Sequence, residues 1–198
     1  MNLSEKDSQL IWHPFTQHQT ALPNIAIVKG KDALLWDENG KEYIDAVSSW
    51  WTNIFGHANH QIANAIKLQS SQLEHVIFAG FTHQPAIEVA EKVLRILPPN
   101  QQKVFFSDNG STAVEVALKM AIQYWYNQNI SKKTIIAFNN AYHGDTFGAM
   151  SVGARGYFNQ PFESFLFDVE SIELPTPINF EHIKETFTSI LETQEVAA

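Results

Sequence analysis

The sequence predicts an α/β protein built around a parallel sheet, and three observations carry that expectation. A short apolar run, Val104 to Phe106, feeds the polar turn Ser107-Asp108-Asn109-Gly110, and a helix opens at Ser111 or Thr112. That helix is apolar over most of its circumference as far as Trp125. After a polar break, Asn127 to Lys133, the run Thr134 to Phe138 reads as a second buried strand. Such a strand-helix-strand unit has parallel strands and a right-handed crossover. Both strands then end on one edge, so the loop Asn139 to Thr146 is expected beside the polar turn, where open α/β sheets bind ligands.

The turn has the chemistry of an anion site. A helix N-terminus presents unpaired backbone N–H groups and the positive end of the helix dipole, Gly110 lets the backbone come close, and the Ser111 and Thr112 hydroxyls add donors. The same residues serve equally as a plain cap, with Asn109 or Ser111 closing a core helix. Along the helix, Glu115, Lys119 and Gln123 fall at i, i+4 and i+8 and mark a narrow wet stripe, while Val114, Val116, Leu118, Ile122 and Trp125 fill the buried remainder.

Taken from its start, the chain opens with an irregular arm over residues 1–24 that includes Ile11-Trp12-His13-Pro14-Phe15. Ile25 to Val28, Ala33 to Trp36 and Glu42 to Ala46 follow as a small antiparallel meander, with Asn39-Gly40 as its hairpin signal. If Ser48-Ser49-Trp50-Trp51 is extended, its two tryptophans point to opposite faces, and one can line a cavity while the other packs; two core aromatics is the plainer reading. His57 and His60 have a spacing that two metal ligands can use, but no Cys, Asp or Glu lies near them in sequence to complete a shell, and no metal is expected. Helices are expected over Gln61 to Leu73, from Pro85 to Leu97, and after Asn179, which can cap a helix facing inward through Phe180, Ile183, Phe187, Ile190 and Leu191. Between them, Thr146 to Gly156 is rich in small residues that permit close backbone approach. The last helix has no strand to follow it, which is expected to leave its apolar face without a partner.

Composition narrows the function class. The 198 residues carry 21 acidic and 13 basic side chains, a net charge of −8, and no basic run longer than Lys132-Lys133. Nucleic acid and anionic membrane therefore have no electrostatic footprint. There is no cysteine, which excludes disulfides and thiolate metal sites. The start Met1-Asn2-Leu3-Ser4-Glu5-Lys6-Asp7 lacks the basic and apolar regions of a signal peptide, and no apolar run reaches membrane-spanning length, so a soluble cytoplasmic protein is expected.

Several stretches together resemble the class III aminotransferases, enzymes dependent on pyridoxal 5'-phosphate, and within them the diaminononanoate synthases of biotin synthesis. They are Trp12-His13-Pro14-Phe15-Thr16, Ser48-Ser49-Trp50-Trp51, Gly110-Ser111 ahead of Ala113-Val114-Glu115-Val116-Ala117, and Tyr142-His143-Gly144-Asp145-Thr146. The Gly-Ser turn and Tyr-His-Gly loop mark class III as a whole, whereas the paired tryptophans and the His-Pro-aromatic-Thr segment narrow the group. The resemblance implies that Gly110 and Ser111 hold the cofactor phosphate, and that Tyr142 lies against the pyridoxal ring and touches substrate. It also implies that Trp50 lines the substrate site with Trp51 left to pack, and that His143 and Asp145 shape their loop. Phe15 stands at the substrate site where known members have tyrosine, which removes a hydroxyl there.

The resemblance further implies a three-layer α/β/α major domain of the aspartate-aminotransferase type (fold type I), incomplete here. Residues 1–50 would be the arm and meander of the small domain, and residues 51–198 the first part of the major domain. The Schiff-base lysine, the aspartate that pairs with the pyridine nitrogen and the arginine that meets a substrate carboxylate belong to a part this sequence does not contain. None of its eleven lysines sits in a matching context. The expected reaction of the intact enzyme is amination of 8-amino-7-oxononanoate, with S-adenosylmethionine as amino donor and a homodimer as the working assembly; the 198 residues alone are expected to be inactive. The alternatives are another class III aminotransferase acting on an ω-amino acid or diamine, or a non-catalytic fragment that pairs with a partner.

Overall fold

The computed structural model describes residues 1–198, which form two compact units, Met1–Val89 and Ala90–Ala198, with the boundary inside one helix. No helix is long and apolar enough to cross a membrane.

The first unit begins with helix α1 (Leu3–Leu10), where an irregular arm was expected. Its start is a capping box: Asn2 Oδ1 accepts the Glu5 N–H at 2.8 Å and Glu5 Oε2 accepts the Asn2 N–H at 2.9 Å. The meander follows as expected, with β1 (Ile27–Lys31) beginning two residues later and ending three residues later than the expected run, and with β2 (Leu34–Asp37) and β3 (Glu42–Ile44) in antiparallel order β1-β2-β3. Asp37 organises the β2–β3 hairpin. Its buried carboxylate accepts the N–H groups of Asn39 and Lys41, each at 2.9 Å, and the Tyr43 hydroxyl at 2.9 Å, while Gly40 takes φ 80° in the turn. Burial alone would raise the Asp37 pKa; the three donors outweigh it and hold the group below the ordinary aspartate range.

The segment Ser48–Trp51, α2, is not extended. All four residues have positive φ, 49°, 47°, 63° and 66°, so the chain makes one left-handed turn out of non-glycine residues. Each such residue costs about 1 kcal/mol. Neither tryptophan is a core residue: Trp50 is 62% and Trp51 71% exposed, and their rings meet edge to face at 6.3 Å. The left-handed turn, by aiming both side chains outward, removes the alternation on which opposite-face placement depends. The unit continues with α3 (His60–Ser70), whose N-cap Asn59 accepts from Gln61 and Ile62, and with the first part of α4 (Gln84–Ile96), where Pro85 sits in the first turn.

In the second unit, α5 (Gly110–Tyr126) forms as expected, but no strand forms over Val104–Phe106. The parallel partner of β4 (Ile136–Phe138) is instead β5 (Glu170–Ile172), in the register Ile136 to Glu170, Ala137 to Ser171 and Phe138 to Ile172. The other edge of β4 is taken by the last residues of the chain. Thr134 bridges Val196 in parallel, the Ala197 N–H donates to Thr134 O at 2.8 Å, and the Ile136 N–H donates to Ala198 O at 2.8 Å. With both edges occupied, β4 has no place for Val104–Phe106. The final helix, α7 (Phe180–Thr193), is therefore followed by a pairing segment, contrary to expectation, and it packs on β5 with Ile183 buried. Asn179 does not cap it. The Asn179 amide oxygen accepts from the Thr176 N–H at 2.6 Å and the Thr176 hydroxyl at 2.8 Å, closing the preceding turn.

The core of this unit lies where the sequence has its small residues. Ala149, Met150, Ser151 and Val152, on and just after α6 (Phe147–Ser151), are buried together with Ile135, Ile172 and Ile183. By contrast α5 has no fully buried residue, and its Met120 and Ile122 are about half exposed. The expected buried circumference of that helix is covered only in part: Val114, Val116, Leu118 and Trp125 are half-buried, and α6 packs against one side.

Candidate functional site

The N-terminus of α5 is built by Asn109, the residue before it. Its extended backbone lets Asn109 Oδ1 accept the Thr112 N–H at 3.0 Å, while the Thr112 hydroxyl takes the Asn109 N–H at 3.2 Å and meets Ser107 Oγ at 2.6 Å. The cap thus consumes the third N–H of the helix and the Thr112 hydroxyl. Gly110 and Ser111, in the first two helical positions, keep their N–H groups free, and an added Cβ at Gly110 would meet nothing within 4 Å. Capping and anion binding are both open to a turn of this sequence. They divide it between them, with Asn109 as cap and Gly110 and Ser111 as the open donors.

The loop after β4 lies against this turn, as expected, although no strand forms over Val104–Phe106. The Asp145 N–H donates to Ser111 Oγ at 3.2 Å, which uses an acceptor of the hydroxyl and leaves its hydrogen for an anion. Gly144, with φ 125°, makes that approach possible: a Cβ there would sit 2.7 Å from Ser111 Cβ and 2.9 Å from Ser111 Cα. Tyr142, 76% exposed, donates its hydroxyl to Asp145 Oδ2 at 2.8 Å. Its ring is therefore held beside the helix terminus through Asp145. That hydrogen bond, with a smaller desolvation effect and the negative charge of Asp145, raises the Tyr142 pKa and keeps the phenol protonated.

One stride along the same face, Glu115 does not belong to a wet stripe. Its Oε1 accepts the N–H groups of Gly148 at 2.7 Å and Ala149 at 3.3 Å, supplying from another helix the cap that Thr146 does not give α6. The Thr146 hydroxyl, buried beside it though short of full hydrogen-bonding geometry, lowers the Glu115 pKa most; burial opposes it, and the Gly148 and Ala149 amides add to the lowering. Gly148 is needed here as Gly144 is at Ser111, because a Cβ would run into the Glu115 carboxylate. Sequence reasoning missed this role. The signal was present as the paired spacing of Ser111 with Glu115 and of Gly144 with Gly148, four residues each.

In the first unit, the structure brings Phe15 to Trp50. Their rings lie 5.5 Å apart at 45°, and Phe15 is itself left-handed at φ 52°. Beneath the left-handed turn sits Asp45, its side chain 7% exposed. Oδ1 accepts the Ser49 N–H at 2.9 Å, and Oδ2 accepts the Ser49 hydroxyl at 2.7 Å and meets His57 Nε2 at 2.7 Å. The Ser49 amide, the Ser49 hydroxyl and His57, in that order, bring the Asp45 pKa down to about 2, against a smaller opposing effect of burial. His57 is thus committed to a carboxylate, and no group of metal-ligating side chains gathers around it.

An N-terminal pair of free amides and a hydroxyl at a 17-residue helix, flanked by an exposed phenol on the neighbouring strand-end loop, suits a phosphorylated aromatic cofactor bound by an α/β protein. The family comparison specifies the class: residues 15–198 match the model of the class-III aminotransferases, and the chain belongs to that family. Enzymes of this family depend on pyridoxal 5'-phosphate.

Its relatives give the finer grouping. The chain is 55% identical over 165 residues to the adenosylmethionine-8-amino-7-oxononanoate aminotransferase of Synechococcus elongatus, covering 83% of this chain and 39% of that protein. It is 41% identical to the Staphylococcus aureus enzyme of the same name, covering 98% of this chain and 44% of that one. The crystal structure of the Methanocaldococcus jannaschii enzyme superposes with a TM-score of 0.86 at 37% identity, over 98% of this chain and 45% of that one. An omega transaminase from Pseudomonas jessenii, solved in complex with PMP, follows at 0.81 and 28% identity, over 97% of this chain and 46% of that one. The chain spans less than half the length of these relatives.

Proposed function

We propose that these residues form the phosphate cradle and one substrate wall of an enzyme that aminates 8-amino-7-oxononanoate to 7,8-diaminononanoate, with S-adenosylmethionine as amino donor, in biotin synthesis. The observation that carries the cofactor half is the pair of unpartnered N–H groups at Gly110 and Ser111, next to Tyr142. The substrate half is supported by the names of relatives at 41–55% identity. When bound, pyridoxal 5'-phosphate supplies the electron sink for transamination. This chain's residues do the rest of what falls to them. Gly110 and Ser111 fix the phosphate, Tyr142 bounds the ring and contacts substrate, and Trp50 with Phe15 forms an apolar wall suited to an aliphatic acceptor. Residues 1–50 then belong to the small domain and 51–198 to the first part of the major domain. A cytoplasmic homodimer completes this reading.

The 198 residues lack a lysine in the family's catalytic context, so this reading assigns them no turnover of their own. Titration with pyridoxal 5'-phosphate and with pyridoxal, in the wild type and S111A, tests the cradle. The phosphorylated form should bind better to the wild type, and S111A should erase about tenfold of that advantage, the worth of one charge-assisted hydrogen bond. Equal affinity of the two forms for the wild type would sink the assignment. Borohydride reduction followed by peptide mapping tests the other half: one stoichiometric adduct on a single lysine would overturn the absence of the catalytic amine.

A second reading, an aminotransferase for an ω-amino acid or diamine, is favoured by the 0.81 superposition on the omega transaminase. The two separate on acceptor preference. The diaminononanoate reading requires the amino-oxononanoate to outcompete pyruvate when the enzyme carrying these residues is assayed with both.

A further inference from the structure

We infer that Asp45, backed by His57, is a positioning residue that fixes the ring of Trp50, an inference that rests on the reading of Trp50 as part of the substrate wall. A left-handed turn of four L-residues does not hold itself, and such strain persists only where the surroundings over-determine it. Here the surroundings are one carboxylate. Its two oxygens take both donors of Ser49, the residue immediately before Trp50, at 2.9 and 2.7 Å. No other side chain hydrogen-bonds within the turn; the remaining ties are backbone contacts, the Ser48 N–H to Asp45 O at 3.3 Å, the Trp51 N–H to Val47 O at 2.8 Å, and the Thr52 and Asn53 N–H groups to Ser48 O, the latter at 2.9 Å.

The anchor is itself anchored. The Asp45 N–H donates to Ala33 O at 2.9 Å, joining it to the loop between β1 and β2, and His57 holds Oδ2 from the other side. His57 is fixed by reciprocal backbone bonds with Asp32, at 2.8 and 3.0 Å, and by Gly30. A Cβ at Gly30 would stand 2.8 Å from His57 Cβ. The chain of support therefore runs from the meander through His57 and Asp45 to Ser49 and on to Trp50, whose ring then meets Phe15 at 5.5 Å. Because Phe15 is also left-handed, two strained backbones converge on one aromatic contact. Strain concentrated at a ring pair is what pre-organisation looks like, and on the proposed reading that pair is the substrate wall.

Trp50 and Trp51, 6.3 Å apart and nearly perpendicular, should give an excitonic circular-dichroism couplet that reads their mutual orientation. The couplet is isolated by subtracting the spectrum of W50F. It is expected to disappear in D45N and in H57A, and to return in H57Q, whose amide nitrogen can reach the place of Nε2. Hydrogen exchange supplies the control: Ser49 loses protection in D45N and H57A while Tyr43 and Leu35 in the meander keep theirs. A couplet and Ser49 protection unchanged in D45N, with the meander intact, would overturn the inference. If D45N unfolds the meander as well, H57A decides by the same two readouts. The couplet reports ring geometry without any ligand, so it stands or falls apart from the substrate assignment, which the acceptor competition tests.

Discussion

Gly144 has no room for a side chain, and that lack of room is what lets the Tyr142 loop reach the helix terminus. Alanine there would bring its Cβ into Ser111 and would also strain the backbone at φ 125°. We expect G144A to cost about 2 kcal/mol in stability. It should also weaken pyridoxal 5'-phosphate binding at least as far as S111A does, because the same contact is lost from the opposite side; calorimetry and the cofactor titration measure the two effects. Asp45 gives a second residue-level expectation. Its folded pKa is depressed from 3.8 to about 2, with His57 the titratable group in contact with it. A depressed carboxylate stabilises the fold fully above its unfolded pKa and loses that contribution as pH falls through the folded value. The Trp50 turn should therefore be intact at pH 5 and loosen between about 4 and 2. The Trp50 contribution to emission, wild type minus W50F, follows it, and D45N should show no transition in that window.

At the level of elements, the α5–α6 junction is a ladder of two rungs, Ser111 against Gly144 and Glu115 against Gly148, each pair separated by one helical stride. Removing the second rung leaves the Gly148 and Ala149 amides buried without an acceptor. E115A should thus cost about 1–3 kcal/mol, and it should raise hydrogen exchange at Gly148 and Ala149 before any other part of α6. Unchanged exchange there would show that the cap is dispensable. The elements also show why some structure was legible in the sequence and some was not. Asn109-Gly110-Ser111 announced its helix because capping chemistry is local, and Asn2 with Glu5 carried the same signal for α1, although the aromatic cluster behind it drew the segment toward an irregular arm. The meander was legible through Asn39-Gly40. In contrast, Glu170-Ser171-Ile172 is too short to show an alternation, and β5 exists only because β4 offers it an edge. The left-handed turn at Ser48–Trp51 was invisible for a related reason: its cause, the Asp45 carboxylate, lies outside the turn, and intrinsic preference argues against the conformation it enforces.

For the molecule as a whole, the balance of surface decides what kind of behaviour to expect in solution. The chain exposes 16028 Å², against roughly 9,400 Å² for a folded monomer of this mass by the usual scaling. Much of the excess is apolar and sits on faces that would normally be interior. Met120, Ile122 and Tyr126 line one side of α5 beside Phe105, and Phe138, Phe187 and Leu191 line an open face between the small sheet and α7. Single exposed apolar residues need no explanation, whereas contiguous faces of this kind mark surfaces meant to be covered. The relatives carry more than half of their length outside the matched part, and the proposed homodimer would bury further area. Studied alone, the 198 residues should self-associate in a concentration-dependent way and light up anilinonaphthalene sulfonate, as measured by light scattering and dye emission. Addition of the remaining portion of the enzyme should suppress both by covering the same faces. A monodisperse monomer that leaves the dye dark would show instead that these faces are stable in water, and would remove the physical reason for supposing that anything covers them.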